Sequence, residues 1–114
     1  MSVRWVTAVG FGVALMTAGV AAQDAKLVER GQKLYAEQKC SMCHSVAGKG
    51  NAKGPIDDAG TKYTAEELRQ WLINPKEMTA KVKSTRKPPM SNYAKLSKED
   101  IEALVAYMQT LKKK

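Results

Sequence analysis

Apolar residues recur at helical spacing in three separated stretches of the chain, and between those stretches the spacing is lost. From Ala25 to Gln38, the positions Leu27, Gly31, Leu34 and Tyr35 keep near-helical spacing, with Lys26, Glu29, Arg30, Lys33 and Glu37 between them. This predicts an amphipathic helix ending near Lys39. Thr64-Ala65-Glu66-Glu67 has the capping-box arrangement: the Thr hydroxyl takes one orphan backbone N–H and the Glu three residues on returns the bond. A short helix follows, to about Ile73, and Asn74-Pro75 stops it because the residue before a proline is pushed out of the helical region. Ser97-Lys98-Glu99-Asp100 opens the last helix with a second cap, an Asp standing where Glu is usual. Ile101, Leu104, Val105, Met108 and Leu111 form its apolar stripe. Lys112 to Lys114 suit its negative C-terminal end.

Two stretches have no period. Gly48 to Gly60 is rich in Gly, Lys and Asp around Pro55, and residues 76–96 hold Pro88-Pro89, so both read as loops. A loop as long as the second, inside a small domain, is usually functional. No segment alternates like a strand and there is no internal repeat. The expected fold class is therefore all-α, about three main helices with long loops that need something to wrap around.

The N-terminus reads differently. Met1 to Trp5 is short and basic, through Arg4, and Val6 to Ala22 is almost wholly apolar, which is the pattern of a secretory signal. Small residues Val20 and Ala22 sit where a signal peptidase cuts, so residues 1–22 are expected to be removed and 23–114 to form the domain. An uncleaved anchor is the alternative, at the short edge of the roughly 17–25 residues that span a bilayer; the dominance of Gly and Ala favours cleavage. Export implies a periplasmic, oxidising setting.

Charge narrows the partners. The 19 Lys and Arg against 11 Asp and Glu give +8, and losing Arg4 with the leader leaves +7. Such a protein attracts acidic surfaces. Lys26, Lys33, Lys39, Lys49, Lys53, Lys62 and Lys76 are scattered and not interleaved with aromatics, and export argues further against nucleic acid. An acidic protein partner fits best, with an anionic membrane surface as a weaker contact.

A domain of this size has a limited core, and the whole chain holds two Trp, four Tyr and one Phe. Two Cys exclude a disulfide scaffold, a Cys₄ zinc site and an iron–sulfur cluster held by four thiolates. A large apolar cofactor would fill the middle. Cys40-Ser41-Met42-Cys43-His44 supplies the means, since two thiols three apart can each add to one vinyl group of a haem while the next imidazole meets the iron. The rivals are weaker. A thioredoxin-like pair wants strands around it, and zinc wants a fourth ligand beyond Cys40, Cys43 and His44.

With one His in the chain, bis-His ligation is impossible, leaving Met, Lys or an open sixth position. Met/His is the cytochrome c pairing and raises the reduction potential. Met42 lies between the anchoring cysteines and Met108 on the last helix's apolar stripe, which leaves Met78 and Met90. Pro88-Pro89 stiffens the approach to Met90 and favours it.

These residues resemble a class I monohaem c-type cytochrome of the small soluble bacterial kind, over residues 25 to 112. The resemblance rests on Gly31 and Tyr35, Cys40 to His44, Gly54-Pro55, Trp71, Met90 in Lys-Pro-Pro-Met, and Leu104 with Tyr107. It implies one haem c, attached through Cys40 and Cys43 with His44 and Met90 as axial ligands, and first and last helices crossing at Gly31. It further implies that the Pro55 carbonyl accepts the second His44 nitrogen, and that Trp71, less surely Tyr63, donates to a haem propionate. The implied role is electron carriage without bond chemistry, between partners such as a reductase, oxidase or dehydrogenase. Two rivals stay open: the haem subunit of a larger oxidoreductase complex, and a peroxidase-like or small-ligand-binding protein in which Met90 leaves the iron.

Overall fold

The computed structural model describes residues 13–112. Its helices are α1 (Val13–Glu37), α2 (Ala59–Lys62), α3 (Ala65–Ile73), α4 (Pro75–Lys81) and α5 (Lys98–Gln109), and a two-stranded ribbon pairs β1 (Ser45–Val46) with β2 (Lys49–Gly50). The expected all-α class holds, with five helices where the periodicity predicts about three. Most of the predicted leader, residues 1–12, lies outside the described residues, as do Lys113 and Lys114. Among the described residues no helix is long and apolar enough to cross a membrane.

The caps act as the sequence predicts at one helix and differently at another. Thr64 Oγ1 accepts from the Glu67 N–H at 3.1 Å and Glu67 Oε1 accepts from the Thr64 N–H at 2.9 Å, a complete capping box at the start of α3. At α5 only half the box forms: Ser97 Oγ accepts from the Asp100 N–H at 3.1 Å. The Asp100 carboxylate instead takes Arg30 Nε of α1 at 2.8 Å, so a capping residue ties the first helix to the last.

α4 and α2 lie in stretches that the sequence reads as loop. Pro75 stops α3 as expected, but it then occupies the first position of α4, where its missing N–H costs nothing and its fixed φ suits a helix. α2 has four residues, too few to show a period. The ribbon is equally short, two residues a strand, joined by Ala47 and Gly48 with φ of 53° and 81°. That is the twist a two-residue hairpin turn prefers, and Asp57 Oδ1 secures it by accepting from the Ala47 N–H at 2.6 Å.

The core lies where α1, α3 and α5 meet, built from Leu34, Leu68, Leu72, Ile101, Ala103, Leu104 and Val105. α1 crosses α5 at Gly31, where a built Cβ would lie 2.0 Å from the Ala103 carbonyl oxygen and 2.7 Å from Tyr107 Cβ. Only glycine permits so close an approach. Tyr35 and Tyr107 flank the crossing edge to face, with ring centroids 5.6 Å apart.

α3 is fastened to α5 by a fork of two hydrogen bonds, Arg69 Nε to Glu102 Oε2 at 2.6 Å and Arg69 Nη2 to Glu102 Oε1 at 2.7 Å. The guanidinium holds the Glu102 carboxyl below the ordinary glutamate range. A folded-state value below the unfolded one stabilises above the unfolded pKa, about 4.3, and that stabilisation is lost as pH falls through the folded value. The pair is half exposed, so it is worth at most about 1 kcal/mol. Thermal melts across acid pH are expected to show a shallower loss of stability in Glu102→Gln than in the wild type; parallel slopes would contradict the assignment.

Candidate functional site

The chain leaves α1 through Lys39, whose φ of 57° turns it left-handed and ends the helix. Cys40–Met42 then form a single 3₁₀ turn, and the N–H groups of Cys43 and His44 both donate to the Cys40 carbonyl, at 3.1 and 2.9 Å. One turn thus gathers Cys40, Cys43 and His44. Asn51 pins it from outside: its backbone N–H reaches the Ser41 and His44 carbonyls at 3.1 and 3.0 Å, and its side-chain amide donates to the Met42 carbonyl at 3.1 Å. Nothing in the Gly- and Lys-rich pattern around Asn51 marks it for this role.

His44 Nδ1 donates to the carbonyl of Gly54, at 3.0 Å. The expected acceptor, the Pro55 carbonyl, is corrected by one residue. The cause is register: Ser45 bridges to Pro55 in parallel fashion, so its N–H goes to the Gly54 carbonyl at 3.1 Å and its carbonyl takes the Ile56 N–H at 3.0 Å. Pro55's own carbonyl takes no part in this ladder. With Nδ1 committed, Nε2 is the nitrogen left to ligate. Burial also pushes the imidazole below the ordinary histidine range, which keeps it neutral.

These groups face a cavity of about 480 Å³, within the roughly 300–1,000 Å³ range of cofactor sites. Every residue that the resemblance assigns to haem binding lines it: Cys40, Cys43, His44, Pro55, Tyr63, Trp71 and Met90. Leu68, Leu72 and Leu104 make its apolar wall. The methionines separate cleanly. Met90 is half-buried on the wall, Met78 is buried at 7% exposure away from it, and Met42 is 69% exposed. Met108 also reaches the wall, from the core face of α5.

Trp71 and Tyr63 pack edge to face on the wall, with centroids 5.9 Å apart. Trp71 Nε1 is buried without a hydrogen-bond partner, as is Tyr35 Oη. A buried N–H left unpaired costs on the order of 1–3 kcal/mol, so the Trp71 donor fits a cofactor acceptor at the cavity. Burial pushes the Cys40 thiol up to about 11, which holds it protonated. Among the described residues there is no group of three or more His, Cys, Asp and Glu arranged to hold a metal ion. The donor set, the apolar wall and the orphaned indole N–H together fit a haem joined through two thioethers.

Comparison with known proteins agrees. The family model described as cytochrome c matches residues 28–112. Cytochrome c oxidase subunit 2 of Alkalihalophilus pseudofirmus is 31% identical, over 85% of this chain and 29% of that protein. The chain thus spans less than a third of that relative's length. No solved structure matches the chain. With the cysteine pair and the cavity behind it, the matched segment makes the chain a member of the cytochrome c family, carrying haem c bound covalently through Cys40 and Cys43.

Proposed function

We propose that the protein is a periplasmic one-electron carrier, not an enzyme, with His44 and Met90 as the axial ligands of its haem. The observation that carries this is that Met90 and His44 line the same cavity, with Met78 outside it. When bound, haem supplies a one-electron iron couple; the chain's residues decide how it is held. Gly54 fixes the His44 ring and raises its basicity through the Nδ1 hydrogen bond. The Met90 thioether favours the reduced state. Trp71 Nε1, buried without a partner, and less surely Tyr63, would donate to a propionate of the bound haem, and Leu68, Leu72 and Leu104 would shield it from water. Activation of peroxide or a diatomic ligand needs distal donors, and the chain's single His is already spent on the site.

The mouth of the cavity carries Lys39, Lys53, Lys62 and Arg86 against Asp58. This supports an acidic redox partner steered by charge, and the likeness to an oxidase subunit favours an oxidase over a reductase or dehydrogenase. That likeness also supports the second reading, a haem domain held permanently in a larger complex. Stopped-flow electron exchange with an acidic redox protein tests the steering. The second-order rate is expected to fall at least several-fold between low and near-molar salt; a rate independent of salt contradicts it.

A further inference from the structure

Between the end of α4 at Lys81 and Met90 the chain runs through residues 82–89, all of them exposed. Arg86 nonetheless lines the cavity. Its guanidinium lies against Gly54, where a built Cβ would come within 2.0 Å of Arg86 Nη1 and 2.3 Å of the Cys43 carbonyl oxygen. Gly54 is also the residue whose carbonyl holds His44. A cation from the segment leading to Met90 is therefore seated on the support of His44. Among the described residues that guanidinium forms no ion pair with a carboxylate, unlike Arg30 and Arg69. The same built Cβ lies between that guanidinium and the carbonyl of Cys43, the residue before His44, so the cation borders the attachment turn as well as the Gly54 support.

We propose that Arg86 is a positioning residue that braces the Met90 segment on Gly54 and, by its charge beside this support of His44, raises the reduction potential of the site. The inference rests on His44 and Met90 as the ligands. Reduction adds one electron and changes no bond, so the oxidised site carries one more positive charge than the reduced one. A nearby cation disfavours the more positive state. Because Arg86 is exposed, salt weakens the effect.

The test is an equilibrium redox titration of the haem-loaded full chain as wild type, Arg86→Gln and Arg86→Lys, at low and high salt. The weak far-red band of oxidised Met-ligated iron is recorded alongside. Arg86→Gln is expected to lower the midpoint, Arg86→Lys to keep most of the wild-type value, and the gap between Gln and wild type to narrow at high salt, with the band intact throughout. A wild-type midpoint in Arg86→Gln with the band present overturns the proposal. So does an equal drop in Gln and Lys at every salt, which is loss of fit and not of charge. Absence of the band in the wild type refutes Met90 as ligand separately, and the Gln and Lys midpoints still decide whether the cation acts through His44.

Discussion

Met90→Ala is expected to abolish the far-red band of the oxidised protein, to lower the reduction potential and to let the reduced protein take up carbon monoxide. Met90 is the methionine that combines a place in the cavity lining with a position in a loop, whereas Met108 is held on α5 and Met78 is buried away from the cavity. Losing the thioether removes the ligand that favours reduced iron. A fall on the order of 0.1 V is expected, a modest part of the roughly 0.8 V that axial ligands span among haem proteins. Met78→Ala should leave band and potential unchanged, because its side chain does not reach the cavity. If Met78→Ala loses the band and Met90→Ala keeps it, the ligand assignment is reversed.

Gly31→Ala should be among the most damaging single-methyl changes in the domain. Alanine is the better helix former by roughly 0.5–1 kcal/mol. At this crossing, however, its Cβ would fall 2.0 Å from the Ala103 carbonyl oxygen and 2.7 Å from its carbonyl carbon, atoms of the α5 backbone that cannot rotate away. The helices must part. Overpacking costs roughly 1–3 kcal/mol, and a backbone obstacle puts this case at the upper end, for a net loss of about 2 kcal/mol. In a domain of this size each kcal/mol moves Tm by roughly 4–8 °C, so thermal melting is expected about 10 °C below wild type. A melting point within two or three degrees of wild type, by the same scaling, would show that α1 and α5 can separate at little cost.

What the sequence made legible is the part written in local chemistry. The capping box at Thr64, the stripe Ile101, Leu104 and Val105, and the Cys40 to His44 run each specify their surroundings through neighbours a few residues away. What escaped depends on register or on loop paths. Pro75 both ends one helix and begins the next, and a hydrophobic period cannot express two roles at one position. The acceptor for His44 differs by one residue from expectation because the bridge of Ser45 to Pro55 sets which carbonyl faces the ring. Asn51 and Arg86 act from segments without periodicity, and their partners at Met42 and Gly54 are fixed only once those loops are folded. Asp100 shows the same limit in a helix: its cap position is legible, its partner Arg30 is not.

The proposed function requires a closed, six-coordinate site that carries electrons and does no chemistry on a ligand of its own. The most direct measurement is the visible spectrum of the reduced, haem-loaded wild-type protein before and after exposure to carbon monoxide. An unchanged spectrum is expected if, as proposed, His44 and Met90 fill both axial positions. A prompt shift to a carbon monoxide adduct would contradict it and would give the ligand-binding reading the stronger claim.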